Sequence, residues 1–153
     1  VPGVALDQKA RVGASYQKLY QGLYDEDEAM MLGRQAALDQ RGIQKNLDSK
    51  PIDLGALESV RASLPFDFEF NGQSWRLIQE RDELLVHSLT CPHQLGSFAD
   101  VAVIDGTITC PWHGYRFDVR SGRCATGQTC SLPAPPVLVR RGGRLEVMAA
   151  ISS

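Results

Sequence analysis

The sequence predicts a mainly β fold, an antiparallel β-sandwich or small barrel, preceded by an α-helical N-terminal segment. Three observations lead there. Composition breaks near residue 65: residues 1–64 hold no Cys, His, Trp or Phe, whereas residues 65–153 hold all four and no lysine, their eight basic residues all being arginine. Apolar residues of the first part recur at helical spacing. Those of the second part fall in short runs punctuated by glycine-containing turns. The expected organisation is a helical extension over residues 1–64 and a β domain over residues 65–153.

In the first part, Val12, Tyr16, Leu19, Tyr20 and Leu23 fall at i, i+4, i+7, i+8 and i+11, which is one face of a helix. Gly13 and Gly22 weaken that helix. The carboxylates of Asp25–Glu28 suit the N-terminus of a second helix, where unpaired N–H groups and the dipole favour negative charge. Met30 with Ala37, and Met31 with Leu38, recur seven apart along it. A third short helix is expected over "DLGALESVRASL", with Asp53 as N-cap and Pro65 after its end. No titratable cluster in these helices has the pattern of a site, so packing, partner docking or self-association is their expected role.

In the second part, "FDFEF" alternates apolar and acidic residues and runs into Asn71-Gly72, a hairpin signal. "WRLIQ", "ELLVHS", "VAVI" and "TITC" read as strands, and "RLEVMA" as the last one. Turns are expected at "RDE", Asp105-Gly106, Ser121-Gly122 and Gly142-Gly143.

A formal charge of −2 gives no case for nucleic acid or an anionic membrane. No apolar run is long enough to cross a membrane, no secretory signal is visible, and the expected location is the cytoplasm. The chain starts at Val1 without a methionine, which fits a trimmed chain or one cut from a longer protein. Four cysteines in 153 residues are too few for a disulfide-stapled miniprotein.

The scarce residues cluster. Cys91-x-His93 is followed, after sixteen residues, by Cys110-Pro-Trp-His113. Two thiolates and two imidazoles suit a borderline-soft metal. Pro92 and Pro111 stiffen the two loops, and Gly96 and Gly114 allow close approach or a sharp turn. Zinc is one candidate, although a zinc finger groups its cysteines together and its histidines together. One Cys and one His from each loop also suits a pair of irons, one taking both thiolates and the other both imidazoles.

This pattern, with Gly114 after His113, "YRFDVRSGRC" following it and the proline-containing "SLPAPP", resembles the Rieske [2Fe–2S] family over residues 66–149. The resemblance narrows the fold to an antiparallel β-sandwich with a cluster-binding subdomain. It implies that Cys91 and Cys110 bind one iron of a [2Fe–2S] cluster and His93 and His113 the other. It also implies one-electron transfer through histidines at an exposed tip, from a reductase to an oxygenase. Neutral imidazoles in place of two thiolates raise the potential above that of all-cysteine ferredoxins.

The flanks narrow it further. Respiratory members carry an extra cysteine in each cluster loop and hydroxyl donors at the positions of Tyr115 and Phe117. Here no such cysteine exists and Phe117 has no hydroxyl, so a low potential within the Rieske range is expected. With two histidines on the cluster, only His87 remains. One histidine cannot build the two-His, one-carboxylate iron site of an oxygenase, so no catalytic residue is assigned on this chain.

Two other readings stay open. "LYDEDEAMMLGRQAAL" is similar to the last catalytic-domain helix of ring-hydroxylating oxygenases, so the chain could be the electron-input domain of a larger enzyme. A structural zinc protein is the other. Elsewhere, His87 reads as structural, Cys124 and Cys130 as free thiols, and Trp112 and Phe98 as packing around the cluster. Arg116, Arg120, Arg123, Arg140, Arg141 and Arg144 read as a solvated face or a docking surface for an acidic redox partner.

Overall fold

The computed structural model describes residues 6–44 and 50–150. Val1 and the stretch 45–49 lie outside the described residues. Helix α1 runs without a break over Leu6–Gln44. The sequence separates two helices here, but Asp25–Glu28 sit in mid-helix. Gly13 and Gly22 each cost only about 1 kcal/mol against alanine, too little to stop a run otherwise rich in helix formers. Within it Gln21 Nε2 donates to Asp25 Oδ1 at 3.0 Å, one turn away. The expected apolar stripe forms but covers nothing among the described residues: Val12, Tyr16, Leu19, Tyr20 and Leu23 are all exposed. No described helix is long and apolar enough to cross a membrane.

The β domain begins with β1, Ile52–Ala56, and α2, Leu57–Ala62. This corrects the single helix expected over 53–64 and brings residues assigned to the helical part into the β domain. Gly55 holds φ +117, where a helix cannot continue. Asp53 caps no helix. Its carboxylate accepts from the Gly55 N–H at 2.8 Å and from Arg144 Nε at 2.6 Å.

Three hairpin strands follow: β2, Phe66–Phe70; β3, Gln73–Glu80; and β4, Glu83–Ser88. The Asn71-Gly72 turn, with φ of 48 and 63, sets the register Phe68↔Trp75 and Phe66↔Leu77. Two short strands come next, β5, Thr107–Thr109, and β6, Arg116–Asp118; the chain closes with β7, Val137–Arg141, and β8, Arg144–Met148. All pairings are antiparallel, in sheets ordered β1-β8-β7, β2-β3-β4 and β5-β6.

Strand alternation builds the base of the domain. Phe68, Phe70, Trp75, Leu77 and Val86 of one sheet bury against Leu145 and Val147 of the other, with Val60 of α2. Each such side chain contributes about 1.5–3 kcal/mol. The Trp75 indole N–H donates to the Phe70 carbonyl at 3.2 Å, so its polar edge is satisfied. A second core lies beyond β4: Leu89, Phe98, Ile108, Phe117, Val119 and Leu132 pack with Cys91 and Cys110. The fold is thus a β-sandwich base carrying a smaller subdomain built on β5 and β6.

"VAVI" forms no strand; of its residues only Ile104 bridges, to Thr107. The Val101 carbonyl, with that of Ala99 just before the segment, is bonded to a side chain instead. Arg76 on β3 donates to Ala99 O at 2.7 Å and Val101 O at 3.4 Å.

Candidate metal centre

The two Cys-His loops fold by the same backbone rule. In the first, Leu95 N–H donates to Cys91 O at 2.9 Å and Cys91 N–H to Gly96 O at 2.8 Å. In the second, Gly114 N–H donates to Cys110 O at 2.9 Å and Cys110 N–H to Tyr115 O at 2.7 Å. Each tight turn needs positive φ at its fourth residue past the cysteine: Leu95 at 64 and Gly114 at 70. Glycine in the second loop is the readable signal; leucine in the first gives none. The second loop closes β5 and β6 as expected, while the first closes only the bridge Thr90↔Ser97.

These loops bring the four candidate residues together in two pairs. Cys91 and Cys110 are buried in the same core. Burial pushes the Cys91 thiol up to about 11, and the neighbouring Cys110 adds to the rise. The N–H groups of His93 and Gln94 point at the same sulfur and oppose it. The imidazoles form the second pair, with ring centroids 5.0 Å apart and planes at 90°. His93 is half-buried and His113 exposed. Tyr115 lies against His93 at 4.4 Å, centroid to centroid.

Two details fit a bulky, electropositive group held between the pairs. His93 Nδ1 is buried without a hydrogen-bond partner among the described residues, which costs free energy unless something binds it. A Cβ on Gly96 would stand 3.0 Å from Trp112 Cδ2 and 3.3 Å from Cys110 Sγ, so a side chain there would crowd the cysteine sulfur. Among the described residues no three Cys, His, Asp or Glu side chains gather about one point; the thiols make one pair and the imidazoles another.

The surroundings sort the remaining candidates. Phe98 is fully buried, whereas Trp112 is 37% exposed and covers Gly96. His87 is a buried core residue whose Nδ1 lies 3.0 Å from Ser88 O. Cys124 and Cys130 are free thiols. Leu132 of the proline-containing loop is buried beside the cysteines, its N–H donating to Gly122 O at 2.8 Å. Of the six arginines, Arg120 pairs with Glu83, Arg141 with Glu146 and Arg144 with Asp53. Arg76 carries no motif of its own in the sequence. Its signal was the register of the Asn71-Gly72 hairpin, which sets it opposite Asp67.

No curated protein matches the chain. Solved structures share its fold. The ferredoxin of carbazole 1,9a-dioxygenase from Nocardioides aromaticivorans IC177 is similar at TM-score 0.52 and 24% identity, over 66% of this chain and 98% of that one. A chain in a complex of reduced oxygenase and oxidized ferredoxin of carbazole 1,9a-dioxygenase matches at TM-score 0.53 and 20% identity, over 66% of this chain and 94% of that one. Another, in the reduced complex between oxygenase and ferredoxin, matches at 0.55 and 12%, over 72% of this chain and 31% of that one. A family model, the Rieske [2Fe-2S] domain, matches residues 50–136. The chain belongs to the Rieske [2Fe–2S] domain family, whose cofactor is a [2Fe–2S] cluster.

Proposed function

We propose that this chain is a one-electron carrier that takes electrons from a reductase and delivers them to an oxygenase. The observation that carries the reading is the pairing by depth: two cysteines buried in one core and two imidazoles packed edge to face, one of them exposed. In this reading Cys91 and Cys110 hold one iron from the buried side, and His93 and His113 hold the other. The cluster, when bound, supplies a one-electron couple. The His93 and Gln94 N–H groups stabilise the anionic Cys91 sulfur. Leu89, Phe98, Ile108, Phe117 and Leu132 exclude water beneath. Electrons pass at the rim formed by exposed Pro111, Trp112, His113 and Gly114.

The oxygenase partner is supported by the solved neighbours, which include ferredoxins bound to oxygenases. Dioxygen chemistry is left to that partner. Arg116, Arg123 and Arg140 are exposed and have no ion pair among the described residues, leaving them for an acidic docking face. The expected setting is the reducing cytoplasm, where Cys124 and Cys130 rest as thiols.

Metal analysis and EPR of the dithionite-reduced protein test the reading, with a redox titration beside them. The expected result is two irons per chain, an exchange-coupled signal and a potential near the lower end of the family's range of about −150 to +300 mV. Zinc in place of iron sinks the carrier; a potential at the upper end sinks the argument from Phe117.

A second reading is favoured by α1, whose side chains Val12, Tyr16, Leu19, Tyr20 and Leu23 are exposed. There the domain feeds a catalytic domain of the same polypeptide, packed on α1. The gene's full reading frame decides between the two.

A further inference from the structure

Cys124 and Cys130 take no part in the proposed ligand set, yet they are placed together. Arg123 and Ser131 form an antiparallel bridge. The next pair inward, Cys124 and Cys130, therefore faces across the mouth of the five-residue loop 125–129. Facing residues of an antiparallel pair have Cα atoms about 4.5 or 5.5 Å apart. That lies inside the roughly 4.4–6.8 Å a disulfide spans. The side chains also come close, since each thiol shifts the titration of the other. Both are free and partly exposed.

The two sulfurs differ in a way that suits thiol exchange. Slight burial pushes the Cys124 thiol up, but the Thr126 hydroxyl at 3.0 Å, the N–H groups of Thr126 and Gln128 and the Cys130 thiol bring it below its ordinary value. Burial pushes Cys130 up, and a charge on Cys124 raises it further. Cys124 is thus the nucleophile and Cys130 the reserve thiol that resolves.

We propose that Cys124 and Cys130 form a reversible dithiol–disulfide couple, oxidised by a low-molecular-weight disulfide, whose closed form pins the third loop to the cluster core. The Cys124 thiolate attacks one sulfur of the disulfide, forms a mixed disulfide and releases one thiolate. Cys130 then gives up its proton and attacks the Cys124 sulfur, releasing the second thiol. Two protein thiols are oxidised and one small disulfide is reduced to two thiols. The bond lies between two buried anchors: Cys124 bridges Phe117, and Leu132 follows two residues after Cys130. Phe117 and Leu132 share a core with Cys91 and Cys110.

The test uses the full chain with its cluster loaded. It is incubated with oxidised glutathione, alkylated, digested without reduction and mapped by mass spectrometry. The peptide holding both residues should lose two hydrogens and take up no alkylating reagent, and excess reduced glutathione should restore both thiols. Cys130→Ser should stall with glutathione on Cys124. Cys124→Ser should slow glutathione uptake at Cys130 by at least about tenfold, and Thr126→Val should slow closure. Amide exchange at Ala125 and Leu132, whose N–H groups bond to Arg116 O and Gly122 O, should slow on closure. Full alkylation of both cysteines after oxidation, with the cluster's absorption intact, overturns the couple. A stalled adduct on Cys130 rather than Cys124 overturns the order of attack, and unchanged amide exchange overturns the pinning.

Discussion

At Gly96 the missing side chain is the requirement. A Cβ would press on the Trp112 ring at 3.0 Å and on Cys110 Sγ at 3.3 Å. Gly96→Ala should therefore cost about 1–3 kcal/mol by overpacking and lower the iron bound per chain. Adding Trp112→Ala should recover part of both, because one of the two clashes is gone; iron content and urea denaturation report the outcome. His87 acts through charge. It is 2% exposed, and burial pushes its pKa down against the pull of the Ser88 carbonyl. A depressed folded value means stability is fully present above the unfolded value of about 6.5 and is lost as pH falls through the folded one. Between pH 7 and 5 the urea midpoint of the native protein should fall more steeply than that of His87→Gln. Parallel slopes would show that His87 does not carry the acid sensitivity. Asp67, lowered by its bond to Arg76, acts in a separate window below about pH 4.

Among the elements, β3 reaches furthest beyond its own sheet. Arg76 holds both oxygens of Asp67 across the hairpin, at 2.6 and 2.8 Å, and reaches the carbonyls of Ala99 and Val101. It ties the chain that leaves the first cluster loop to the sandwich base. Arg76→Ala should destabilise the fold by about 2 kcal/mol, and Arg76→Lys should not rescue it, since an ammonium cannot bridge both carboxylate oxygens. Thermal unfolding with amide exchange at residues 98–104 reads both effects. Turn chemistry made β2, β3, β4, β5 and β8 legible, each beside a Gly- or Asn-containing turn at 71–72, 105–106 or 142–143 or the Arg81 turn at φ 56. β1 was not legible, because its partner β8 lies some ninety residues on and the local run also reads as helix. The split of α1 had a different cause: local charge at Asp25–Glu28 signals a helix start only where no helix already runs.

Over the whole molecule, two cores divide the labour. One joins the sandwich sheets; the other surrounds two cysteines. Removing the cluster should leave the first intact and loosen the second, because Cys91 and Cys110, the proposed ligands, would then sit in apolar surroundings with nothing to bind. Anaerobic chelation followed by amide exchange should speed exchange at Ile108, Phe117 and Leu132, while Leu77 and Val147 keep their protection. Equal loss in both cores would mean that the domain folds only around its metal.

The sequence by itself determined the metal-binding pattern, the β character after residue 65 and most of the turns, because each rests on residues close together in the chain. Only the tertiary structure decided that residues 52–56 join the sheet, that Arg76 bonds the carbonyls of Ala99 and Val101, and that the two cysteines are buried while the two imidazoles pair nearer the surface. Each of these depends on partners distant in sequence, whose meeting is set by the cooperative packing of the two cores.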